Sequence, residues 1–448
     1  MSDRTQFRGW GRTAPVVASA VSSTPAQVGE LLRGAGPRGL IARGLGRSYG
    51  DAAQNSGGQV LLPMSGEPHL EGDRVVAAAG TSLHDLMRYL LPRGRFLPVT
   101  PGTRYVSVGG AIACDVHGKS HHVTGTFGAN IDGFDLVTPD GQTRAVTPGG
   151  DPELFWATVG GMGLTGVITS ATLRTIPVET GWASVTTDRH DDLDSLMAAM
   201  REGDDAWTYS VAWVDTLSPG RSGARALGRS VLSRGEHARL DELDARRAHT
   251  PYPLPGDPRL GAPPGIPSGL VSRTTVRAFN ELWYRRAPRH RSGELQTLAT
   301  FFHPLDGVAD WNRLYGPAGF VQYQLVVPDD AGEVVRDAVA TLAASGHASF
   351  LAVLKRFGPA NDGLLSFPMA GWTLALDLPA RAGLAGLLDR LDDAVIEAGG
   401  RVYLAKDSRL RADRFAAMYP RREEFARVRD RVDPGRVLSS DLARRLDL

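Results

Sequence analysis

The chain has 448 residues, a formal net charge of +1 from 50 basic and 49 acidic side chains, and a single cysteine, Cys114. That length exceeds one ordinary core, so two domains are expected; the balanced charge speaks against a nucleic-acid partner, and one cysteine excludes an internal disulfide. No run approaches 18 apolar residues, and Met1 to Gln6 lack the charged-then-apolar pattern of a signal peptide, so the expectation is a cytoplasmic protein or one held peripherally at the cell envelope.

In chain order, Ala26 to Arg33 reads as a short helix with Pro25 in its first turn, leading into a strand from Gly39 to Ala42. The segment Ile41-Ala-Arg-Gly-Leu-Gly-Arg-Ser-Tyr-Gly-Asp51 is a glycine-rich loop. Strands at Val60 to Leu62 and Arg74 to Ala78 follow, then a helix from Leu83 to Leu91 behind Ser82 as candidate N-cap. A second small-residue segment runs Pro101-Gly-Thr-Arg-Tyr-Val-Ser-Val-Gly-Gly-Ala-Ile-Ala-Cys-Asp-Val-His-Gly118. Both segments put small residues and free backbone N–H groups where a chain approaches a ligand closely. Two of them, with strand-like sequence between, suggest a large dinucleotide held by backbone.

A Rossmann loop is excluded by its context. The first segment has one residue too many for G-x-G-x-x-G. The true match, Gly161-Met-Gly163-Leu-Thr-Gly166, follows a helical stretch (Pro152 to Thr158) and precedes a β-branched one (Val167 to Leu173), the reverse of what the motif requires.

Beyond residue 180, Tyr209 to Val214 is a strand, and Tyr252 to Gly269, rich in Pro and Gly, reads as a lid or a surface linker. Then a pattern repeats: strand Phe320 to Val327, helix Gly332 to Ala344, strand Phe350 to Phe357; strand Gly371 to Leu378, helix Ala382 to Ala398, strand Arg401 to Lys406. This is β-α-β-β-α-β, an antiparallel sheet with helices on one face. Gln322 and Gln324 share one face, as do Thr373, Ala375 and Asp377, and both faces are too polar for a core, so they should line a cavity.

Among 50 basic residues only three are lysines, Lys119, Lys355 and Lys406, and each lies beside a motif already named. Lysine, unlike arginine, is a point charge that can lose its proton when desolvated. His117, His121 and His122 include an i, i+4 pair, but no helix signal and no nearby carboxylate accompany them, so no metal site is expected.

The two glycine loops resemble the pyrophosphate-binding elements of the vanillyl-alcohol-oxidase type of FAD flavoprotein. Phe302-His-Pro-Leu-Asp306, Tyr315 to Gln324, Arg401 to Arg409 and the tail Ser440 to Leu446 are similar to one family of that superfamily, the decaprenylphosphoryl-β-D-ribose 2′-oxidases. The likeness runs from about Gly9 to the C-terminus. It implies an α+β protein of two domains: residues 1–179 begin the FAD-binding domain, 180–400 form an antiparallel-sheet substrate domain, and 401–448, through Asp433 to Asp441, return to the FAD-binding domain.

The resemblance further implies non-covalent FAD, cradled by Ala42, Arg43, Gly44, Leu45, Gly46, Arg47, Ser48, Tyr49, Gly50, Asp51 and Ala52, by Gly102, Ser107, Val108, Gly109 and Gly110, and by Cys114, Asp115, Val116, His117, Ile168 and Tyr403. It places Lys119, Trp213, Phe302, Gln322, Gln324, Lys355, Ala375, Asp377 and Lys406 around a sugar phosphate. Lys406, Tyr403 and His117 are the candidate catalytic residues. Lys406 either takes the hydroxyl proton or stays charged and binds the substrate phosphate or flavin O2. The implied reaction oxidises the 2′-hydroxyl of a polyprenyl-phosphate-linked ribose to the ketone, hydride passing to flavin N5. A separate NAD(P)H-dependent reductase of the ketone completes an epimerisation toward the arabinose donor of cell-wall arabinan. Peripheral membrane contact stays open. The rivals are an oxidase of a free alditol or aldonolactone and a flavin-binding partner subunit without turnover. The chain departs from the family pattern at Ala375, where many members carry the cysteine that captures nitroaromatic inhibitors, and at Phe302, where relatives carry tyrosine.

Overall fold

The computed structural model describes residues 4–217, 227–258 and 260–448. Short strands assemble the first part into two small sheets and a two-stranded pair, Arg95–Phe96 with Ile176–Pro177. One has the order Arg4–Phe7, Val16–Val21, Gln59–Leu61, Leu40–Ala42, with its last two pairings parallel. The other is antiparallel in the order His69–Glu71, Arg74–Ala78, Val167–Arg174, Ile131–Val137, Thr143–Val146. The helix Leu83–Leu90 is capped as its sequence suggests, Ser82 Oγ accepting from the Asp85 N–H. The helix Pro152–Thr158 starts at proline behind Asp151 and ends just before the Gly161–Gly166 turn.

The second part is one antiparallel sheet of eight strands. Its order is His290–Thr297, Trp182–His190, Ser230–His237, Tyr209–Val214, Ala352–Phe357, Gly371–Pro379, Phe320–Val327, Arg401–Val402. The last four strands have the split order of a β-α-β-β-α-β unit. Their helices, Gly332–Ser345 and Leu384–Glu397, bury Val335, Val339, Leu342, Leu387, Leu388 and Leu391 in the core that also takes Leu325, Leu354, Leu374 and Leu376 from the sheet. The α+β class and antiparallel second sheet agree with the sequence reading.

Three differences matter. The strand expected to reach Lys406 stops at Val402, because the Tyr403 N–H still bonds Gln324 O while the Lys406 and Asp407 N–H groups turn back onto Tyr403 O. The segment 252–269, apart from Arg259, which lies outside the described residues, is docked rather than loose. Arg88 and Arg104 donate to Pro255 O and Gly256 O, and Leu260–Gly261 pairs with Val308–Ala309. A helix, Arg273–Arg286, stands where no helix was expected.

The chain's end packs on its beginning. Leu438 bridges Leu40 in parallel, and Arg445 binds both oxygens of Asp51 and also Asp407. The Tyr49 N–H donates to Ala405 O. The first glycine loop and the Lys406 turn are thereby held as one unit.

Candidate active site

Between the glycine segments and the open face of the eight-stranded sheet lies a cavity of about 300 Å³. Ala42 to Gly50 and Ala52 form one wall, with Gly102, Ser107, Gly109 and Gly110 beside them. The two segments touch at Gly44, where a Cβ would fall inside the van der Waals shell of Ser107 Oγ. Gly46 holds a φ of +67°, which favours glycine. Among the described residues, the N–H groups of Gly44, Leu45, Gly46, Arg47 and Ser48 have no protein partner. A run of unpartnered amides at a cavity wall is an anion nest, suited to a pyrophosphate.

The second segment differs from expectation. Val108 N–H bonds Thr81 O at 2.9 Å, Gly109 N–H bonds Ala79 O at 2.8 Å, and Gly110 N–H bonds Ser107 Oγ at 3.3 Å. These three amides are already used, so the Val108–Gly110 stretch offers close approach rather than donors. At Gly102 a Cβ would meet nothing within 4 Å, leaving the open space a bulky ligand needs. These features fit FAD. Gly44→Val should therefore purify with its far-UV circular dichroism intact but with most of its 450 nm flavin absorbance lost, because Ser107 Oγ caps the Val108–Ala113 helix and cannot swing away freely.

The opposite wall carries the chemistry. Gln322, Gln324, Lys355 and Ala375 line it, and Ala375 is the one residue of Gly371–Pro379 that is not buried. His117 sits between two of these side chains. Its Nε2 lies 3.0 Å from Gln324 Nε2, and its Nδ1 lies 3.3 Å from Lys355 Nζ. When Lys355 is a neutral amine, Gln324 donating to Nε2 leaves the ring hydrogen on Nδ1 facing Nζ; when Lys355 is protonated, Nζ donates to Nδ1 instead. Burial, then Lys406, lowers Lys355 to about 7, and burial, then Lys355, holds His117 well below the usual imidazole value. Tyr403 donates to Cys114 O at 2.8 Å and stacks on Phe367 at 4.7 Å. Lys406 Nζ stands 4.1 Å over the Tyr49 ring. Burial lowers Lys406 while Asp377 raises it; burial raises Asp377 in turn, so the two share their titration.

Several residues named from the sequence lie outside the cavity wall. Asp51 is spent on Arg445. Val108 is core. Asp115, fully buried at φ +41°, accepts from the Gly128 N–H, Asn361 and Ser366, and so fixes the turn that aims His117. Asp377 is fully buried and accepts from Gln322, which itself lines the cavity. Trp213 donates to Phe350 O, and Phe302 packs with Phe96 and Tyr209. Lys119 donates to Phe301 O and lies 4.0 Å from the Phe301 ring centroid; burial, then Lys355, lowers it to about 7. His121 Nδ1 accepts from the Gly358 N–H, and His122 Nε2 lies 2.8 Å from Trp207 O.

The cavity also takes residues that the sequence did not flag: Trp10, Met64, Met162, Gly163, Gly166 and Trp311. The Gly161–Gly166 motif, set aside as a false Rossmann match, carries the positive φ values of Met162 (+56°) and Gly163 (+76°) that bring its backbone to the wall. A glycine run between helix and strand was the available signal.

An anion nest facing a cavity that Lys355 lines from the sheet and Lys406 from the adjoining turn fits the class of FAD flavoproteins. An FAD binding domain model matches residues 18–147, and a D-arabinono-1,4-lactone oxidase model matches residues 385–446. The decaprenylphosphoryl-β-D-ribose oxidase of Mycolicibacterium smegmatis is 47% identical, over 99% of this chain and 97% of its own. An uncharacterised protein of Streptomyces coelicolor, from the mprA 5′ region, is 43% identical over 82% of this chain and all of its own. The L-gulono-1,4-lactone dehydrogenase of Mycobacterium tuberculosis is 26% identical over 95% of this chain. The chain belongs to the decaprenylphosphoryl-β-D-ribose oxidase family.

Proposed function

We propose that this chain oxidises the 2′-hydroxyl of a polyprenylphosphoryl-β-D-ribose to the 2′-ketone, the first half of an epimerisation toward an arabinose donor for cell-wall arabinan, with non-covalently bound FAD. A separate NAD(P)H-dependent reductase would consume the ketone. In this reading, residues up to 179 and the segment from Tyr403 onward hold the cofactor, and the eight-stranded sheet holds the sugar phosphate. The observation that carries it is the convergence of Lys355, Lys406 and His117 on one cavity beside the amide nest.

FAD, when bound, supplies the hydride acceptor at N5. The chain's residues do the rest. Lys406 in its neutral form accepts the 2′-hydroxyl proton at Nζ as the C2′ hydrogen departs with its electron pair, leaving the carbonyl. Lys355, when protonated, attracts the phosphate at the wall, and Lys119, held on Phe301 O behind the wall, adds its charge from a distance. His117 stays neutral and orients Lys355, and Tyr403 holds the Cys114 turn. The match of residues 385–446 to a lactone oxidase model favours oxidation of a free aldonolactone or alditol as the second reading.

The test is an anaerobic spectrum before and after farnesylphosphoryl-β-D-ribose. Bleaching of the flavin band supports the first reading. A band that stays oxidised, but bleaches with a free aldonolactone, overturns it. Bleaching should also be pH-dependent in two opposed ways. A lysine accepts a proton only above its own pKa, so the reduction rate at saturation should rise with pH and level off below the ordinary lysine value, about 10.4. Lys119 and Lys355 lose their charge above about 7, so the half-saturating substrate concentration should rise across the same range. Stopped-flow measurements from pH 6 to 9 read both; a flat rate profile would remove Lys406 from the base role.

A further inference from the structure

Arg43, Arg47, Lys355 and Lys406 bring positive charge to the cavity wall. Arg43 is spent on Arg8 O (2.8 Å) and Ala53 O (2.9 Å), and Lys355 faces His117. Lys406 is the proton acceptor of the reading above. Arg47 is left over. Among the described residues its side chain makes no hydrogen bond and no ion pair, and its Nε is buried without an acceptor. The carboxylates that face it are taken. Asp306 accepts from the Thr103 hydroxyl (2.7 Å) and the Arg104 N–H (2.8 Å) and lies 3.6 Å from the Arg104 guanidinium; Asp310 pairs with Arg313 at 2.8 Å. A guanidinium does not shed its proton to ease such a position, so a buried N–H without a partner calls for an anion.

What holds Arg47 is aromatic. Its guanidinium carbon lies 3.9 Å from the Trp10 ring centroid and 5.5 Å from that of Tyr105. Trp10 meets Trp311 edge-on at 5.9 Å, and both rings line the cavity. The backbone N–H of Arg47 belongs to the amide nest, but the side chain goes to these rings. Arg47 and Lys406 are also both neighbours of Tyr49: the Arg47 charge acts on its hydroxyl, and Lys406 Nζ stands 4.1 Å over its ring. In a ribose phosphorylated at C1′, the phosphate sits on the carbon next to the one that is oxidised. A cation that shares Tyr49 with Lys406 is placed for that phosphate, and the indole rings beside it suit the hydrocarbon that follows.

We propose that the Arg47 guanidinium binds the phosphate of the lipid-linked sugar and makes this chain select a phosphorylated riboside over a neutral one. The proposal rests on the reading of a polyprenylphosphoryl-ribose substrate and names its phosphate site. Arginine presents a fork of donors to two phosphate oxygens. It also keeps its charge where the lysines do not. Burial, then Lys355, lowers Lys119 to about 7, and burial, then Lys406, lowers Lys355 to about 7. Burial lowers Arg47 too, but from the far higher guanidinium value, and Asp306 and Asp310 raise it again. Above pH 7 the phosphate therefore still has Arg47 to hold it.

The experiment uses the FAD-loaded full chain at pH 8.5, with farnesylphosphoryl-β-D-ribose and its phosphate-free counterpart, farnesyl-β-D-riboside. Arg47→Gln should raise the half-saturating concentration of the phosphorylated substrate about tenfold or more, and the preference for it over the neutral riboside should fall by the same factor. Bound FAD should stay near wild-type occupancy, because the amide nest is intact. An unchanged half-saturating concentration overturns the proposal. So does an equal loss with both ribosides, since the side chain would then shape the cavity rather than read phosphate. A folded glutamine variant that cannot take up FAD also overturns it and assigns the guanidinium to the cofactor's pyrophosphate. The wild type gives a check that needs no variant: farnesyl phosphate should perturb the flavin spectrum at concentrations at least about tenfold lower than farnesol, and equal affinity at this pH overturns the proposal. Farnesyl phosphate binding that is weakened by Arg47→Gln, in a protein whose flavin no ribose substrate reduces, would keep the phosphate site and sink the substrate reading instead.

Discussion

Replacing Lys406 by alanine should cut the rate of flavin reduction by the ribose substrate by roughly 10²–10⁴-fold while leaving bound FAD near wild-type occupancy. The reason lies in how the residue is held. Its backbone is pinned by the Tyr403 turn and by the Ala405 O to Tyr49 N–H bond, neither of which needs the side chain. Its amine has no hydrogen-bonding partner among the described residues and looks over Tyr49 into the cavity, so alanine removes a reactive group without orphaning a donor. The amide nest at Gly44–Ser48 is untouched, which is why the cofactor should stay. Lys406→Arg separates the two roles open to the residue. Arginine keeps the charge but cannot give up its proton near neutral pH. If Lys406 is the base, the arginine variant binds substrate and stays oxidised. If Lys406 only binds phosphate or flavin, arginine recovers a large part of the rate. Single-turnover bleaching at 450 nm with both variants decides between them, and near-wild-type reduction by the alanine variant would end any catalytic role.

The elements legible in the sequence were those whose signal is local. Arg74–Ala78, Tyr209–Val214 and Phe320–Val327 alternate or run apolar, and the β-α-β-β-α-β order follows from two helices between four such strands. The three lysines stood out by scarcity alone, and two of them line the cavity. What was not legible depends on distance or on exposure. Nothing local announces that Arg445 will hold Asp51, so Asp51 read as part of the nest. The Tyr403–Lys406 turn looks like continuing strand until Ala405 O is claimed by Tyr49. The Arg273–Arg286 helix buries so little that its hydrophobic period is blurred by arginines and by aromatics on the outer side. Trp10 and Trp311 reach the cavity from opposite ends of the sequence and meet edge-on at 5.9 Å, a contact no spacing rule encodes.

Nitroaromatic inhibitors that other members of this family capture through a strand cysteine should leave the intact mass of this protein unchanged after turnover, and their inhibition should wash out. Position 375 faces the cavity: it is the unburied residue of its strand and pairs with Gln324 on one side and Val353 on the other. A cysteine there would present its sulfur to a ligand, and alanine presents a methyl group. The remaining thiol is Cys114, which also borders the cavity. Burial pushes it up to about 11, with the 3.9 Å contact to Ser48 Oγ and the charge of Lys406 in partial compensation. Near neutral pH the group therefore stays a thiol, whereas the thiolate is the form that attacks. Substrate oxidation should be little affected by the alanine, because no step uses sulfur. Ala375→Cys should restore a covalent adduct of one inhibitor per chain, since the methyl-to-thiol change adds one atom on the open side of the strand and disturbs no buried contact. A mass increase in the unaltered protein, with the modified peptide containing Cys114, would show that the buried thiol is more reactive than its surroundings allow and would overturn the prediction.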